Sequence, residues 1–298
     1  MTNDTVVYGD EKSNRRKQMI RLGIVYALLV FFALFILIPF YWMIITALKT
    51  STQVFTSPPI LWLNPTDWQF SNFALALDAA PFARFMANTV LVSFLSTVGT
   101  VITTIFASFA FSRLNFVGRD ILFMLLIATM MIPGEMFVIT NFLTVVNLGW
   151  IQDQTFFDAV LAMSIPFMTS IFYIFFLRQT FKQIPNELYY AAKVDGTKDL
   201  QYLWKVMVPI GMPTIITITI LNAMGTWNAY IWPRLVTQQE SFRLVSNGLR
   251  DAFSDIAGVI QYNEQMAAAL LVTLPLLVVF LLLKKYIMRG VSRSGIKG

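Results

Sequence analysis

The chain has 298 residues, of which 57% are hydrophobic and 13% charged, carries a formal charge of +6, and contains neither cysteine nor histidine. This composition excludes an ordinary soluble domain and a disordered chain, and the missing residue types exclude disulfides, thiol chemistry and histidine-bound metal. The basic residues sit beside long apolar runs, so the positive charge points to a membrane surface and away from nucleic acid.

Residues 1–21 are polar and place Arg15, Arg16, Lys17 and Arg21 before the first apolar run. That run, 22–48, is longer than the apolar part of a signal peptide and ends without a small-residue cleavage site, so it reads as a retained first span with Pro39 inside it. Residues 49–83 form an external connection with Pro58, Pro59, Trp62, Pro65 and Trp68, and a short interfacial helix is expected at 70–77. The second span, 88–111, is rich in serine, threonine and glycine, residues that let helices approach closely in lipid. Arg113 and Arg119 flank a turn, and the third span, 121–146, is interrupted at Pro133, Gly134 and Glu135. A fourth span is expected at 157–177, a fifth from Pro209 to about Trp232 and Pro233, and a sixth at 266–288, with an external segment at 234–265 and a tail at 289–298. The expected fold is thus an all-α integral membrane protein: one six-helix domain, 22–288, between a cytoplasmic segment at 1–21 and a cytoplasmic tail.

Between the fourth and fifth spans lies a polar interruption, about 178–208. Pro185 and Asn186 supply a helix start, Glu187 puts negative charge in the first turn, and Asp195 with Gly196 supplies the stop. The resulting helix, 186–194, is shorter than the roughly 12 to 15 residues an isolated helix needs in water, so something must hold it. Thr197 is expected to cap a second helix through Leu200, Leu203 and Trp204. Lysine and arginine are concentrated in this loop, in both terminal segments and in the turn at Arg113 and Arg119, which places all four on the cytoplasmic side.

Pro185, Glu187 with Leu188, Ala191 with Ala192, Asp195 with Gly196, and the later Pro209 resemble the coupling loop of binding-protein-dependent ATP-binding-cassette importers. That pattern is a proline, Glu-Leu, then Glu-Ala-Ala, three residues and glycine; Tyr190 stands where the family usually has the glutamate. Asn72, Phe73, Pro81, Phe82, Asn88-Thr89, the Met-Ile-Pro at 131–133, Trp227-Asn228 and the final Gly-Ile-Lys-Gly are similar, in order, to the shorter permease of maltose-type carbohydrate importers. The resemblance implies a type I permease core paired with a homologous permease, two ATPase subunits that carry ATP and magnesium, and an external solute-binding protein. It implies a disaccharide or oligosaccharide as solute, with glycerol phosphate or a related polyol derivative as the alternative. An ATP-independent carrier and a membrane scaffold are the competing classes.

No catalytic site is expected in the chain. The tail segment 290–297 approaches a phosphate-binding loop, but Ile296 separates the second glycine from Lys297 and no strand precedes it. The coupling candidates are Pro185, Glu187, Leu188, Tyr190, Ala191, Ala192, Asp195 and Gly196. Thr219, Asn222, Thr226 and Tyr230 form a polar stripe on the fifth span, suited either to sugar hydroxyls or to contacts between helices. Trp227, Asn228 and Trp232 are placed near the outer boundary, to meet the binding protein, to gate solute, or to sit in an aromatic belt. Glu135, in a span where a charge costs about 2.5 to 3.5 kcal/mol, should face protein or a wet cavity, or take up a proton.

Overall fold

The computed structural model describes residues 7–253 and 261–292. Residues 1–6, 254–260 and 293–298, with the Gly-Ile-Lys-Gly ending and most of the lysine-bearing tail, lie outside the described residues. Every regular element among the described residues is helical. By their contacts they fall into two units, residues 1–76 with 261–270, and residues 77–260 with 271–298.

The first unit contains α1 (Val7–Ala47), α2 (Ser51–Val54), most of α3 (Ser71–Asp78) and the start of a long helix at Tyr262. α1 starts at Val7, upstream of the expected first span, because the polar stretch before Leu22 holds good helix formers and no proline. α3 is the short helix expected at 70–77. Ile45, Leu48 and Leu63 form a small core. Asn72 ties it together, donating to the carbonyls of Ala47 and Lys49 at 2.8 Å each and accepting from Asn263 at 3.0 Å. Lys49 is buried with its ammonium 4.4 Å from the Trp42 ring centroid, and burial lowers its pKa.

The second unit contains α4 (Phe82–Arg113), α5 (Arg119–Thr129), α6 (Phe137–Asn147), α7 (Phe156–Ser164), α8 (Ile171–Lys182), α9 (Asn186–Val194), α10 (Asp199–Tyr202), α11 (Val208–Trp227), α12 (Ile231–Val236) and α13 (Val245–Ala252). The last helix is α14 (Tyr262–Ser292). Lys17–Ala47, Phe82–Arg113, Asp199–Trp227 and Tyr262–Leu282 are each long and apolar enough to cross a bilayer; two bent helix pairs bring the total to six if each pair is one span.

Both bent pairs have a local cause. α5 and the helical stretch 134–147 meet at 86° around Pro133, where a 3-10 turn, Gly134–Met136, carries Glu135. The expected fourth span is not continuous: α7, extended by the 3-10 turn Ile165–Phe167, meets α8 at 52°. Pro166 has no N–H to return to the Ala162 carbonyl, and at the break before α8 the carbonyls of Phe167 and Met168 accept from Thr100 at 3.1 Å and Thr103 at 2.6 Å on α4. Ser108 similarly donates to the Ile174 carbonyl at 2.9 Å. The hydroxyl row of the second span therefore mainly closes helix contacts, with α4 packed along α8 and α11.

The fifth span also differs from expectation at both ends. It starts at Asp199, well before Pro209, because a π-helical turn, Leu203–Met207, carries the helix through: the Val208 N–H reaches back to the Leu203 carbonyl. It stops at Trp227, where Asn228 turns its side-chain amide onto the Met224 carbonyl at 2.9 Å. Trp232 belongs to the separate α12 and is buried, donating to the Ala162 carbonyl at 3.0 Å.

Candidate functional site

Two features of the second unit are built to do something. The first is α9. Its stop is a Schellman motif: the N–H of Thr197 donates to Ala192 O at 2.9 Å and that of Gly196 to Lys193 O at 3.0 Å, with Gly196 at φ 73°. The N-cap position of α10 does not fall on Thr197. Lys198 holds the cap position instead, its N–H donating to Gln201 Oε1 at 3.3 Å.

Arg113 fixes the other end. It is 7% exposed, and donates Nη1 to Asn186 Oδ1 at 2.7 Å and Nη2 to the carbonyls of Phe181, at 2.7 Å, and Ile184. Asn186 thus receives the α4 terminus and does not cap its own helix. Tyr189 and Ala192 pack on a core made by Ile105 and Phe109 of α4, Leu177 and Phe181 of α8, and Tyr202, Leu203, Met207 and Ile215 beyond. A polar clasp adds to this: Asp199 Oδ1 accepts from the Tyr189 hydroxyl at 2.7 Å and pairs with Lys193 Nζ at 2.6 Å. Hydrogen bonding to Asp199 raises the Lys193 pKa, and burial first, then the same carboxylate, raises that of Tyr189.

The opposite face of α9 is bare. Glu187, Leu188, Tyr190, Ala191, Val194, Asp195 and Gly196 are all exposed, Val194 at 88%. Of the coupling candidates, only Ala192 points into the chain's own core.

The second feature is a cavity of about 520 Å³ enclosed by α4, α7, α8, α11 and α12. Asn222, Thr226, Asn228 and Tyr230 line it, beside Ser96, Tyr173, Phe167 and Trp232, and no lining side chain is charged. Asn222 donates to Thr97 at 3.2 Å and Thr226 to the Asn222 carbonyl at 3.1 Å. Three other candidates are not in its lining: Thr219, which donates to its own helix at Ile215 O at 2.8 Å, Trp227, and Glu135, which is exposed at the bend before α6. Arg250 of α13 lies over the Tyr230 ring, its guanidinium carbon 5.2 Å from the ring centroid, outside the lining.

The sequence reading missed Arg113 as the mount of α9, counting it only as positive charge. Its place at the end of a long apolar run, six residues before a second arginine, was the available signal. Ser96, Phe167 and Tyr173 of the cavity wall had none, since they come from helices far apart in the chain.

Residues 99–293 match the family described as binding-protein-dependent transport system inner membrane component. The chain is 28% identical over 273 residues, 90% of its length and 95% of the relative's, to the sn-glycerol-3-phosphate transport system permease protein UgpE of Yersinia enterocolitica. It is 31% identical over 288 residues, 93% of its length and 90% of the relative's, to a probable ABC transporter permease protein of Mycoplasma pneumoniae. A solved bacterial ABC transporter involved in the import of the acidic polysaccharide alginate contains a chain that superposes with a TM-score of 0.78 at 26% identity, covering 91% of this chain and 98% of that one.

Proposed function

The chain belongs to the binding-protein-dependent transport system inner membrane component family, and from that premise we propose that it carries a neutral carbohydrate across the membrane when a separate ATPase moves α9. The family makes it a membrane permease subunit of a binding-protein-dependent importer. Its partners in the proposal are a homologous permease, two ATP-binding-cassette subunits holding ATP and magnesium, and an external solute-binding protein. The orientation follows the lysines and arginines, with both termini and α9 on the cytoplasmic side.

One observation carries the coupling: α4, α8 and α11, the helices on which α9 is mounted, are also the helices that present Ser96, Tyr173 and Asn222 to the cavity. Closure of an ATPase groove on the bare face of α9 would move these three helices as rigid bodies and change access to the cavity. Pro185 and Gly196 set the ends of α9, and Glu187, Leu188, Tyr190, Ala191 and Asp195 offer the contact face. The small Ala191 allows close approach.

The solute class rests on the cavity wall. Asn222, Thr226, Asn228 and Tyr230 match hydroxyls, and the rings of Phe167 and Trp232 match the apolar face of a pyranose. A wall without a charged side chain favours a neutral sugar. A phosphorylated or acidic solute is the second reading, supported by the names of the relatives and by Arg250 beside Tyr230. The exposed position of Glu135 outside the cavity gives no support to an ion-coupled carrier.

The test is uptake and solute-stimulated ATP hydrolysis in proteoliposomes holding this chain with its partner permease, ATPase and binding protein. Neutral disaccharides and oligosaccharides should stimulate both. Stimulation by glycerol phosphate or uronate oligomers alone would replace the solute class, and uptake without ATP would overturn the coupling.

A further inference from the structure

We propose that a second cavity, between the end of α4 and the flank of α9, is a binding site for a phosphate-class anion. It has a volume of about 380 Å³, and its lining contains Arg113, Arg119 and Lys182 together with Asn186, Tyr189 and Tyr190. No carboxylate lines it. The neighbouring acid, Asp120, is engaged by Arg119 at 3.2 Å and by Arg178 at 3.6 Å.

Arg113 is buried against main-chain carbonyls and the Asn186 amide, has no carboxylate partner among the described residues, and its Nε has no hydrogen-bond partner. A buried guanidinium neutralised by dipoles alone leaves a costly uncompensated charge. Lys182 is exposed and has no carboxylate within 4 Å among the described residues; Asp120, outside the lining, is the acid that acts on it from farther away. Arg119 is already paired with Asp120, so Arg113 and Lys182 are the two cations of this wall without a carboxylate within 4 Å, and together they raise the local potential that gathers an anion. The donors present are an ammonium, guanidinium groups, the Tyr190 hydroxyl and the Asn186 amide nitrogen, whose Oδ1 already serves Arg113. That set matches the several acceptor oxygens of a phosphate group, which favour charge-assisted bonds.

A bound phosphate would touch α4, α8 and α9 at once and stiffen the mount of the coupling helix. The group could arrive as the head of an anionic phospholipid or as a free phosphorylated metabolite. The site stands whatever solute the importer carries.

The experiment uses the assembled importer in two arms. In neutral detergent, thermal unfolding is followed with methylphosphonate against methanesulfonate at matched ionic strength. In nanodiscs of phosphatidylcholine with phosphatidylglycerol, native mass spectrometry counts the phosphatidylglycerol retained. The ATPase subunits bind phosphonates too, so variants of this chain isolate its share. Lys182→Gln should weaken the effect roughly tenfold, the loss of one charge-assisted bond, and Tyr190→Glu, which puts a carboxylate in the cavity, should abolish it. Lys205→Gln, an exposed lysine outside the cavity, should leave it unchanged. A response to methylphosphonate alone assigns a free metabolite, retention of phosphatidylglycerol alone assigns a lipid head, and both together assign their shared chemistry. The proposal is overturned if the wild type responds in neither arm, if Lys182→Gln equals wild type in both, or if Lys205→Gln loses as much.

Discussion

Arg113, the last residue of α4, donates to Asn186, the first residue of α9, at 2.7 Å. With the carbonyls of Phe181 and Ile184 on the same guanidinium, one side chain joins the end of α4, the end of α8 and the start of α9. Replacing it with methionine keeps much of the bulk and strands two carbonyls and an amide oxygen. The expected cost is about 3 kcal/mol in local stability. Arg113→Met should insert normally yet lose most solute-stimulated ATPase activity, with faster amide hydrogen exchange in α9; wild-type exchange there would remove Arg113 from the mount.

Neighbouring alanines should behave differently. Ala191 is exposed on the bare face of α9, whereas Ala192 packs on the chain's own core. Ala191→Arg is expected to block ATPase association with the permease still folded, while Ala192→Arg lowers the yield of folded permease. Co-purification and fluorescence size-exclusion separate the two outcomes.

Within the large cavity, Asn222→Ala should raise the solute concentration for half-maximal uptake about tenfold, as expected for one lost hydrogen bond of about 1.4 kcal/mol. Thr219→Val should change it little, because that hydroxyl bonds only within its own helix. Equal effects from both would argue that Asn222 acts through helix packing. Glu135→Gln should leave the pH dependence of uptake unaltered.

Gly211 sits where α11 meets α8: a Cβ there would come within 2.7 Å of Phe181 Cε1. The ring has little freedom in a packed core, so Gly211→Ala should destabilise by about 1–3 kcal/mol. Phe181→Leu in the same chain should recover part of that loss in a thermal unfolding assay.

Alkaline pH should loosen the clasp on α9. The folded-state pKa of Lys193 is raised by Asp199, so its contribution is fully present below the usual lysine value and is lost as pH rises through the higher folded value. Hydrogen exchange in the last turn of α9 should therefore accelerate above about pH 10.4 beyond the intrinsic base-catalysed rise. Lys193→Met should remove that extra component.

The coupling helix was legible because its limits are local: Pro185 and Gly196 act within one turn of themselves. The spans were legible as apolar runs, and the proline and glycine in the third gave away its bend. Pro166 did not give away the break in the fourth, since what makes the break tolerable in lipid is the pair Thr100 and Thr103, more than sixty positions away. Asn222 and Thr226 could be singled out by helical spacing. Thr219 shares that spacing, yet the wall is set by which arc of α11 meets α4 and α8, and a periodicity does not encode its neighbours. The angle of the bend at Glu135 was not legible: hydropathy averaged over the third span does not see a helix turning through 86°.

The π turn at Leu203–Met207 also has a rotational meaning. An α-helix advances about 100° per residue, so the one extra residue held in that turn offsets the angular phase of α11 from that of α10 and the loop before it. Tyr202 and Leu203 face the core where the turn begins, and Met207 and Val208 face it again where it ends. Deleting one residue there would let the helix rewind as a regular α-helix, and would swing either the Asn222 arc off the cavity or the α9 mount off its seat. The turn works as a vernier, setting the angle between the mount of α9 and the arc of α11 that faces the cavity.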